Sequence, residues 1–445
     1  MMTDRSSGGS GGGGRSVVLV SPHFPPSSVA GVHRARHLAK RLPASGWTPV
    51  VLCVDEAYQT EQLDPDLAAL VAPEVEILKT PAIPASITRR FGVGDLSLRA
   101  WPQLRRTLHS VVCRREVQAV LITGSPYYPM LMAPGLLRRF GVPVVLDFQD
   151  PWVSDWGAAQ PPLSRAGLSH RAATICEPIA LQGASFVTSV SEVQNQQMAV
   201  RYPRLDPGRM SAIPIGGDPD DFVALAHGGA MSRRVELAPG LLHLSYVGTF
   251  LPRAEPLVRT LFRAFARLRS ADPGLAARIR LNFIGTSNQL ADAVAPVVRH
   301  IAEAEGVGDA VDERPGRVPY LSALDVLAHS TGVLLIGSDE PHYTASKIYP
   351  ALMSGRPHLS LFHRTSSAHA ILSGAGGGCA FAFGDTRELA DLEAPIAAAI
   401  GRLATAPETF GAAEPAAYAE YCADNTARRF AAIFDRLAAE TPRRS

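Results

Sequence analysis

Cysteine is scarce in this sequence. The five among 445 residues are Cys53, Cys113, Cys176, Cys379 and Cys422. They are odd in number and far apart, and no two of them form a CxxC pair. Disulfide frameworks use even sets of cysteines, and structural zinc sites use closely spaced ligand pairs. The sequence therefore disfavours both kinds of site.

Long apolar runs are also absent. No segment approaches the roughly 18 to 20 apolar residues that span a bilayer. Residues 1–14 form a Gly/Ser-rich tail without the apolar region of a signal peptide. We expect this tail to be disordered and the protein to be cytoplasmic. A peripheral position at the inner face of a membrane stays open.

The sequence has no excess of either charge, because 43 Lys and Arg residues face 41 Asp and Glu residues. Such a balance gives no global field for nucleic acid, so no nucleic-acid partner is expected. Basic residues do cluster locally, in pairs at 89–90, 105–106, 114–115 and 138–139. Solvated helix faces are the favoured interpretation, and docking on an anionic membrane is the alternative.

The chain has 445 residues, of which 46% are hydrophobic. A chain of this length is too long to fold around a single core. Short apolar runs alternate with amphipathic segments, which predicts doubly wound parallel sheets. The predicted strands are 17–20, 50–54, 75–78, 119–122, 144–146, 186–190, 210–215, 242–247, 279–284, 333–336, 358–361 and 380–383. The predicted helices are 32–42, 98–113, 130–140, 171–182, 191–202, 254–270, 289–304, 320–329, 346–354, 386–403 and 418–439.

These elements group into two α/β lobes. We assign residues 15–225 to the first lobe and residues 240–415 to the second, with a turn-rich segment between them. Residues 416–445 carry a long amphipathic helix that can bury its apolar stripe against either lobe. Two lobes of this kind face each other across a cleft.

The most informative stretch is residues 333–357, VLLIGSDEPHYTASKIYPALMSGRP. A buried strand ends there in a polar loop and a helix start, the position at which open α/β sheets bind ligands. Lys347 adds a positive charge where helix N–H groups are free to bind an anion. This pattern predicts a phosphate and ribose pocket, and its candidate residues are Glu340, Tyr343, Thr344, Ser346 and Lys347.

Two further strand ends of the second lobe repeat this theme. Gly248 and Thr249 follow one strand, with Arg253 placed to pair with a diphosphate through two N–H groups. Gly285 and Thr286 follow the next strand. A glycine after one strand is weak evidence, but three such loops facing one crevice predict a nucleotide site.

The first lobe carries polar residues at the ends of its own strands. His23 ends the first strand, and Gly31 marks a close backbone approach, either to a ligand or between helix and strand. Ser125 and Tyr127 follow another strand and suit a polyol. The run LDFQDPW at 146–152 places the carboxyl groups of Asp147 and Asp150 beside Trp152, as in sugar sites. The alternative is a helix-capping Asp with Trp152 in the core.

One apparent metal motif is discounted. Asp218-Pro219-Asp220-Asp221 imitates a DxD motif, but it lies between the two lobes, where a polar turn is favoured. We therefore predict no metal site.

Six segments together resemble the retaining glycosyltransferases of the GT-B fold, specifically the family 4-like group. They are SPHFPPSSVAGVHRARHLAKRL at 21–42, LDFQDPW at 146–152, FVTSVSE at 186–192, IPIGGDPDDF at 213–222, LSYVGTF at 244–250 and TASKIYPALMSGRP at 344–357. The resemblance implies two Rossmann-like lobes facing a central cleft. It places the acceptor in the first lobe and the nucleotide-diphosphate sugar in the second, and it implies that the last helix crosses back to the first lobe.

The sequence also departs from that family. The family often carries two glutamates separated by seven residues around the donor, and His342 and Pro350 stand at those positions. Thr249 replaces a common arginine, and Ala254 replaces its usual lysine partner. Arg253 and Lys347 are then the expected phosphate ligands, and Glu340 or Asp339 is expected at the ribose.

The expected function is transfer of a sugar from a nucleotide-diphosphate sugar to an acceptor hydroxyl, by a retaining and metal-independent route without a cofactor. His23 and Asp150 are expected to position or deprotonate the acceptor, which Gly31, Ser125, Tyr127 and Trp152 bind. A small molecule, a lipid-linked sugar or a glycan remains possible as acceptor, in polysaccharide, glycolipid or glycoconjugate biosynthesis. The alternatives are a nucleotide-sugar 2-epimerase of the same fold and a catalytically silent nucleotide-sugar binder.

Overall fold

The computed structural model describes residues 15–227, 235–287, 295–340 and 346–441. Within them, the chain forms a seven-stranded sheet of order β3-β2-β1-β4-β5-β6-β7 and a six-stranded sheet of order β10-β9-β8-β11-β12-β13. The strands are β1 Arg15–Val20, β2 Trp47–Val54, β3 Glu76–Thr80, β4 Ala119–Gly124, β5 Val144–Phe148, β6 Phe186–Ser189, β7 Met210–Ala212, β8 Leu242–Val247, β9 Ile279–Ile284, β10 Val311–Arg314, β11 Gly332–Ile336, β12 His358–His363 and β13 Gly378–Phe383.

Helices connect the strands and cover both faces of each sheet. They are α1 Val32–Arg41, α2 Pro65–Ala68, α3 Ala85–Thr88, α4 Leu96–Arg114, α5 Ala133–Phe140, α6 Asp155–Ala158, α7 Arg165–Leu181, α8 Glu192–Arg201, α9 Asp220–Ala226, α10 Glu255–Ala271, α11 Pro273–Arg278, α12 Val297–Ala304, α13 Tyr320–His329, α14 Ile348–Met353, α15 Ser367–Ala375, α16 Glu393–Thr405, α17 Pro415–Tyr418 and α18 Ala423–Glu440.

Both sheets are parallel throughout their described pairings, for example where β1 pairs with β2 and β4 and where β8 pairs with β9 and β11. The central strands read as apolar runs because helices bury both of their faces. Val17 to Val20 have no solvent exposure, and Leu334 is equally buried in the second sheet. Two doubly wound lobes are thus confirmed. Parallel strands point their carboxyl ends to one edge, so each lobe gathers its loops there.

The predicted strands are present, but some predicted boundaries are wrong. The strand Val311–Arg314 was not predicted, because its residues Val-Asp-Glu-Arg lack an apolar run and it pairs with β9 alone. The predicted helix 130–140 begins as a 3₁₀ turn at Tyr128–Met132. The predicted helix 386–403 likewise begins as a 3₁₀ segment, Thr386–Leu392. The tail 1–14 lies outside the described residues.

The last helix, α18, crosses back to the first lobe, as expected. Its apolar stripe packs beside α1 and β1 in one core cluster with Leu19 and Trp47. Phe434 has no solvent exposure and meets the Trp47 ring edge-on, with 5.3 Å between ring centroids. The Trp47 indole N–H donates to Asp435 at 2.8 Å. The end of the chain therefore completes the core of its beginning.

Candidate functional site

The two lobes enclose a cavity of about 530 Å³, which we call the cleft cavity. Its first-lobe wall comes from segments that follow strands β1 to β7, and its second-lobe wall comes from the residues that precede and begin α14. Its lining residues include His23, Gly31, Glu61, Asp95, Ser125, Gln149, Asp150, Ser346 and Tyr349. The carboxyl ends of the first sheet thus supply most of the wall.

His23 lies in this wall and is held by a carboxylate. Its Nδ1 is 2.5 Å from Glu61 Oε1 and 3.3 Å from the Ser27 hydroxyl, which itself donates to Glu61 at 2.9 Å. Burial opposes ionisation of Glu61, but the hydrogen bond and charge of His23 outweigh it and lower the pKa of Glu61 to about 2. The pair fixes the imidazole orientation.

Asp150 lines the same cavity but has a different local environment from Glu61. Its carboxyl group is exposed to the cavity and has no hydrogen-bond or ion-pair partner among the described residues, while the surrounding protein raises the pKa of Asp150 to about 6 by desolvation. A carboxyl group with that pKa can exchange a proton near neutral pH. Asp147 differs, because it is fully buried and accepts hydrogen bonds from Arg34 at 3.1 Å and Thr188 at 2.7 Å. Asp147 is therefore structural.

Gly31 marks a close approach between the start of α1 and the end of β5. A Cβ atom there would lie 3.3 Å from Gln149 Oε1 and 3.4 Å from the carbonyl oxygen of Ser125. All three residues line the cleft cavity. Gln149 is 6% exposed and its Oε1 has no hydrogen-bond partner, whereas its Nε2 donates to the Gly31 carbonyl at 3.4 Å. Sequence reasoning missed Gln149, although it stands between Phe148 and Asp150 in the run discussed above.

The expectation that Trp152 binds the acceptor is wrong. Trp152 is 9% exposed and belongs to the core of the first lobe. Its ring stacks on Tyr127 at 5.2 Å and 13°, and Tyr128 meets it edge-on. Tyr127 donates its hydroxyl to the Asp150 carbonyl at 2.8 Å, so it supports the loop that carries Asp150. These aromatic rings pack against one another because stacking removes their apolar faces from water, whereas a position in the cleft would leave them exposed.

In the second lobe, Lys347 lies beside the loop after β8. Its ammonium group donates to the Tyr246 hydroxyl at 2.5 Å and the Thr249 carbonyl at 3.3 Å, and it lies 4.2 Å from the Tyr246 ring centroid. Burial around this group lowers the pKa of Lys347 to about 7. A Cβ atom on Gly248, whose φ is +126°, would lie 3.6 Å from Lys347 Nζ. The backbone and the cation thus come together as expected.

A smaller cavity of about 150 Å³ also lies between the lobes. Gly248, Thr249, Gly285 and Arg317 line it from the second lobe, together with Ser28 of the first lobe. The Arg317 guanidinium reaches across the interface and donates to the Ser28 carbonyl oxygen. Arg317 was missed because a lone arginine between Gly316 and Val318 carries no pattern.

Arg253 does not join Lys347, contrary to expectation. It forms ion pairs with Asp339 at 2.5 Å and Glu340 at 2.9 Å, and its side chain is 58% exposed. It lines a separate surface cavity, and none of the described cavities is lined by both cations. Glu340, expected at the ribose, is engaged by Arg253. The adjacent carboxylates capture the arginine because they follow the neighbouring strand, β11.

Two other donor-site expectations change, and two lie outside the described residues. Thr286 is 7% exposed, and its hydroxyl donates a hydrogen bond to Glu313 at 2.7 Å. This hydroxyl is therefore already engaged within the protein. Ser346 lies in the wall of the cleft cavity rather than beside Gly248. Tyr343 and Thr344 belong to the segment 341–345, outside the described ranges.

Pro350 does not disrupt the helix that carries Tyr349. The helix α14 begins at Ile348 and is six residues long, which makes Pro350 its third residue. The first N–H groups of a helix have no partner within it, so a proline at that position forfeits no helical hydrogen bond. The predicted helix 346–354 therefore begins two residues later than expected.

The lobes are joined by buried polar contacts. Asp64, at the start of α2, accepts hydrogen bonds from Asp66 N and Leu67 N and also from Tyr320 N of α13 at 2.6 Å. The Tyr320 hydroxyl donates to Asp221 at 2.9 Å, and Asp221 forms a bidentate pair with Arg36 at 2.7 and 2.6 Å. The Asp64 carboxylate thus accepts hydrogen bonds from the first N–H groups of helices in both lobes.

The segment 218–221 is more than the polar turn predicted from the sequence. Asp218 and Asp221 are each 1% exposed, and Asp218 pairs with Lys40 at 2.9 Å and with Arg41. Within the described ranges, no three His, Cys, Asp or Glu side chains are grouped so that they could hold a metal ion. None of the described helices is long and apolar enough to cross a membrane.

The family model for the glycosyl transferase 4-like domain matches residues 30–216. The matched range covers most of the first lobe, which is therefore similar to that domain. A D-inositol 3-phosphate glycosyltransferase of Stackebrandtia nassauensis is 35% identical over 137 residues, which are 30% of this chain and 29% of that protein. The chain therefore covers under a third of that relative's length.

Solved structures resemble the whole chain at low identity. They include sucrose-phosphate synthase from Thermosynechococcus elongatus, at 16% identity and TM-score 0.56 over 96% of this chain and 97% of that one. A structure described as trehalose-6-phosphate from E. coli bound with UDP-2-fluoro glucose has 13% identity and TM-score 0.60, over 96% and 100%. The GT-B fold and the family 4-like resemblance are confirmed. In the transferase-like domain, Gly31, Ser125, Gln149 and Asp150 fall within the matched range, and His23 precedes it.

Proposed function

We propose that the chain is a glycosyltransferase that moves a hexosyl group from a nucleotide-diphosphate sugar to an acceptor hydroxyl. The observation that carries this proposal is the cleft cavity of about 530 Å³, walled by both lobes at the carboxyl ends of the first sheet. A transferase needs such a shared space because it must bring two substrates together and exclude water.

The donor diphosphate is proposed to bind between Gly248, Gly285 and Lys347. Gly248 leaves its backbone accessible, and Lys347 supplies a positive charge 3.6 Å from the position a Cβ would take. Arg317 adds a second cation at the edge of the smaller cavity. A relative of the same fold is described with a bound UDP sugar, which supports a nucleotide-sugar donor.

In the proposed reaction, the bond between the anomeric carbon and the donor phosphate oxygen breaks, and its electron pair leaves with the nucleoside diphosphate. A bond forms between the anomeric carbon and the acceptor oxygen, whose proton passes to a base. The positive charge of Lys347 stabilises the leaving diphosphate. In this proposal Asp150 or His23, which both line the cleft cavity, orients the acceptor hydroxyl. Retention of configuration and independence of metal follow the family resemblance and belong to this proposal.

The test incubates the full-length protein with a panel of nucleotide sugars and candidate acceptors. We expect release of a nucleoside diphosphate together with a new glycoside, unchanged by EDTA and with the donor's anomeric configuration in the NMR spectrum. Thermal stabilisation by a nucleotide sugar without release would support a silent binder instead. Formation of an epimeric sugar without acceptor would support the 2-epimerase.

Peripheral membrane contact is proposed for the loops that lead into α4 and α7. They expose Phe91 at 81%, Trp156 at 69% and Leu163 at 84%. Arg89 and Arg90 adjoin Phe91 in sequence, so the segment before α4 combines apolar and basic side chains, as binding to anionic lipid requires. Co-sedimentation with anionic but not with neutral vesicles is expected, and Phe91→Ser should weaken it.

A further inference from the structure

The cleft cavity is rich in carboxyl groups. Glu61, Asp95 and Asp150 line it, and none of its described lining residues is Lys or Arg. His23 is paired with Glu61, so an anionic ligand in this cavity would face Asp95 and Asp150 without an unpaired cation among the described lining residues.

Two of the three carboxylates are held in place, and one is free. Glu61 is paired with His23, as described above. Asp95 caps α4 by accepting from Leu98 N at 2.9 Å and from the Ser97 hydroxyl at 2.6 Å. Asp150 has no hydrogen-bond or ion-pair partner among the described residues. Its negative charge is available to a ligand.

The charge of the buried Arg99 acts on two of the carboxylates, Glu61 and Asp95. Arg99 is 1% exposed and does not line the cavity. Its guanidinium is committed to carbonyl oxygens, donating to Ile83 at 2.9 Å and Tyr58 at 2.8 Å. Arg99 thus partly offsets the charges of Glu61 and Asp95 without contacting a ligand, whereas burial is the only cause of the raised pKa of Asp150.

Gln149 provides a second, independent indication of what the cavity accepts. Its side chain is buried to more than nine-tenths, lines the cavity, and leaves Oε1 without a hydrogen-bond partner. A buried acceptor without a donor costs free energy that a bound donor would recover. Gln149 Oε1 and the Asp150 carboxylate are adjacent in sequence and both require donors. A protonated amine carries three donors and a positive charge.

We infer that the acceptor is a polyol that bears a protonated amino group, and not a phosphorylated polyol. This inference rests on the proposed function, because it assigns the acceptor of the same transfer reaction. An ammonium held by Asp150 has no lone pair, so the nucleophile is a hydroxyl oxygen and the amine serves in recognition.

The experiment measures binding of three matched probes to the full-length protein by isothermal titration calorimetry. The probes are D-glucose, 2-amino-2-deoxy-D-glucose and D-glucose 6-phosphate, near neutral pH and at low salt. The amine is expected to bind at least about tenfold more tightly than glucose, and the phosphate more weakly than glucose. High salt should reduce the amine preference. Equal binding of amine and hydroxyl probes, or tighter binding of the phosphate, would overturn the inference.

A variant pair locates the preference. Asp150→Asn should reduce the amine preference to about threefold or less, while Asp155→Asn, at an exposed position outside the cavity wall, should leave it unchanged. A preference retained in folded Asp150→Asn would overturn the role given to Asp150. If that variant does not fold, the salt dependence measured on the unmodified chain still decides the question.

Failure of this inference differs from failure of the proposed function. Transfer to neutral or phosphorylated acceptors alone would leave the glycosyltransferase standing and remove the amine. Selective binding of the amine without release of nucleoside diphosphate from any donor would support the amine site and contradict the proposed glycosyltransferase.

Discussion

Lys347 is the residue on which the proposed chemistry depends most. Its ammonium group is enclosed by Tyr246 and Thr249 and lies beside the backbone of Gly248. Lys347→Ala should lower the turnover number about a hundredfold or more, because the leaving diphosphate loses its fixed positive charge. Steady-state kinetics measure this loss, and Lys79→Ala, an exposed lysine paired with Glu56, serves as the control. Near-normal turnover would remove Lys347 from the mechanism.

The same residue predicts a pH dependence. Burial lowers the pKa of Lys347 to about 7, so the free protein carries the ammonium below that pH and loses it above. A bound diphosphate favours the ammonium and raises its pKa, so affinity falls as the pH rises between about 7 and 9, by up to about tenfold per unit. Calorimetry with a nucleoside diphosphate measures it. Lys347→Arg, which stays charged, should flatten the profile; a flat profile in the unmodified chain would contradict the assignment.

Residue types alone could not distinguish a lining side chain from a packed one. Asp150 and Trp152 belong to one motif, yet Asp150 faces the cavity and Trp152 fills the core. The distinction depends on partners from elsewhere in the chain, here Tyr127 and Tyr128. Arg253 was misjudged for the same reason, because the carboxylates that capture it follow a different strand.

At the scale of elements, Asp64 joins two helices that belong to different lobes. Its carboxylate accepts from Asp66 N and Leu67 N in α2 and from Tyr320 N in α13. Asp64→Ala should lower stability by about 1 to 2 kcal/mol, because two capped helix starts lose an acceptor. It should also increase the radius of gyration, since one contact between the lobes is lost.

Thermal unfolding and small-angle X-ray scattering measure these two effects. The matched control is Asp206→Ala, which removes a carboxylate that accepts from Gly208 N within the first lobe alone. That variant should leave the scattering unchanged. Scattering from Asp64→Ala identical to that of the unmodified chain would show that this contact does not hold the lobes.

The elements themselves could largely be predicted from the sequence, because the central strands are buried on both faces and read as apolar runs. The exception is β10, an edge strand whose four residues include Asp312, Glu313 and Arg314. The start of α14 could not be predicted either. Its first residue is Ile348, and the capping position is Lys347, which lacks a side-chain cap. Capping patterns cannot locate a helix start that has no cap.

For the whole molecule, the net charge of +2 conceals a polarity across the cleft. Arg317 lines the smaller cavity and Lys347 lies beside Gly248 of its wall, whereas the cleft cavity is lined by the carboxylates Glu61, Asp95 and Asp150, with His23 paired to Glu61. This arrangement places positive potential where a diphosphate is proposed and negative potential where an amine is proposed. Opposite potentials would keep each substrate out of the other's position.

The final helix makes the stability of the first lobe depend on the end of the chain. Phe434 of α18 is fully buried and packs against Trp47. Phe434→Ala should destabilise the first lobe by about 3 to 5 kcal/mol, because it leaves a cavity in a close-packed core. Arg428→Ala, at an exposed position of the same helix, should change stability by less than about 0.5 kcal/mol.

Chemical denaturation measures both variants, and the fluorescence of Trp47 and of the other first-lobe tryptophans reports on the first lobe. If α18 stabilises that lobe, the midpoint of the tryptophan fluorescence transition moves to a lower denaturant concentration in Phe434→Ala. Nucleotide binding by the second lobe should persist at denaturant concentrations below that midpoint. A tryptophan transition that does not move would mean that α18 only rests on the first lobe. Because Phe434 and Trp47 share one core cluster, we expect the shift.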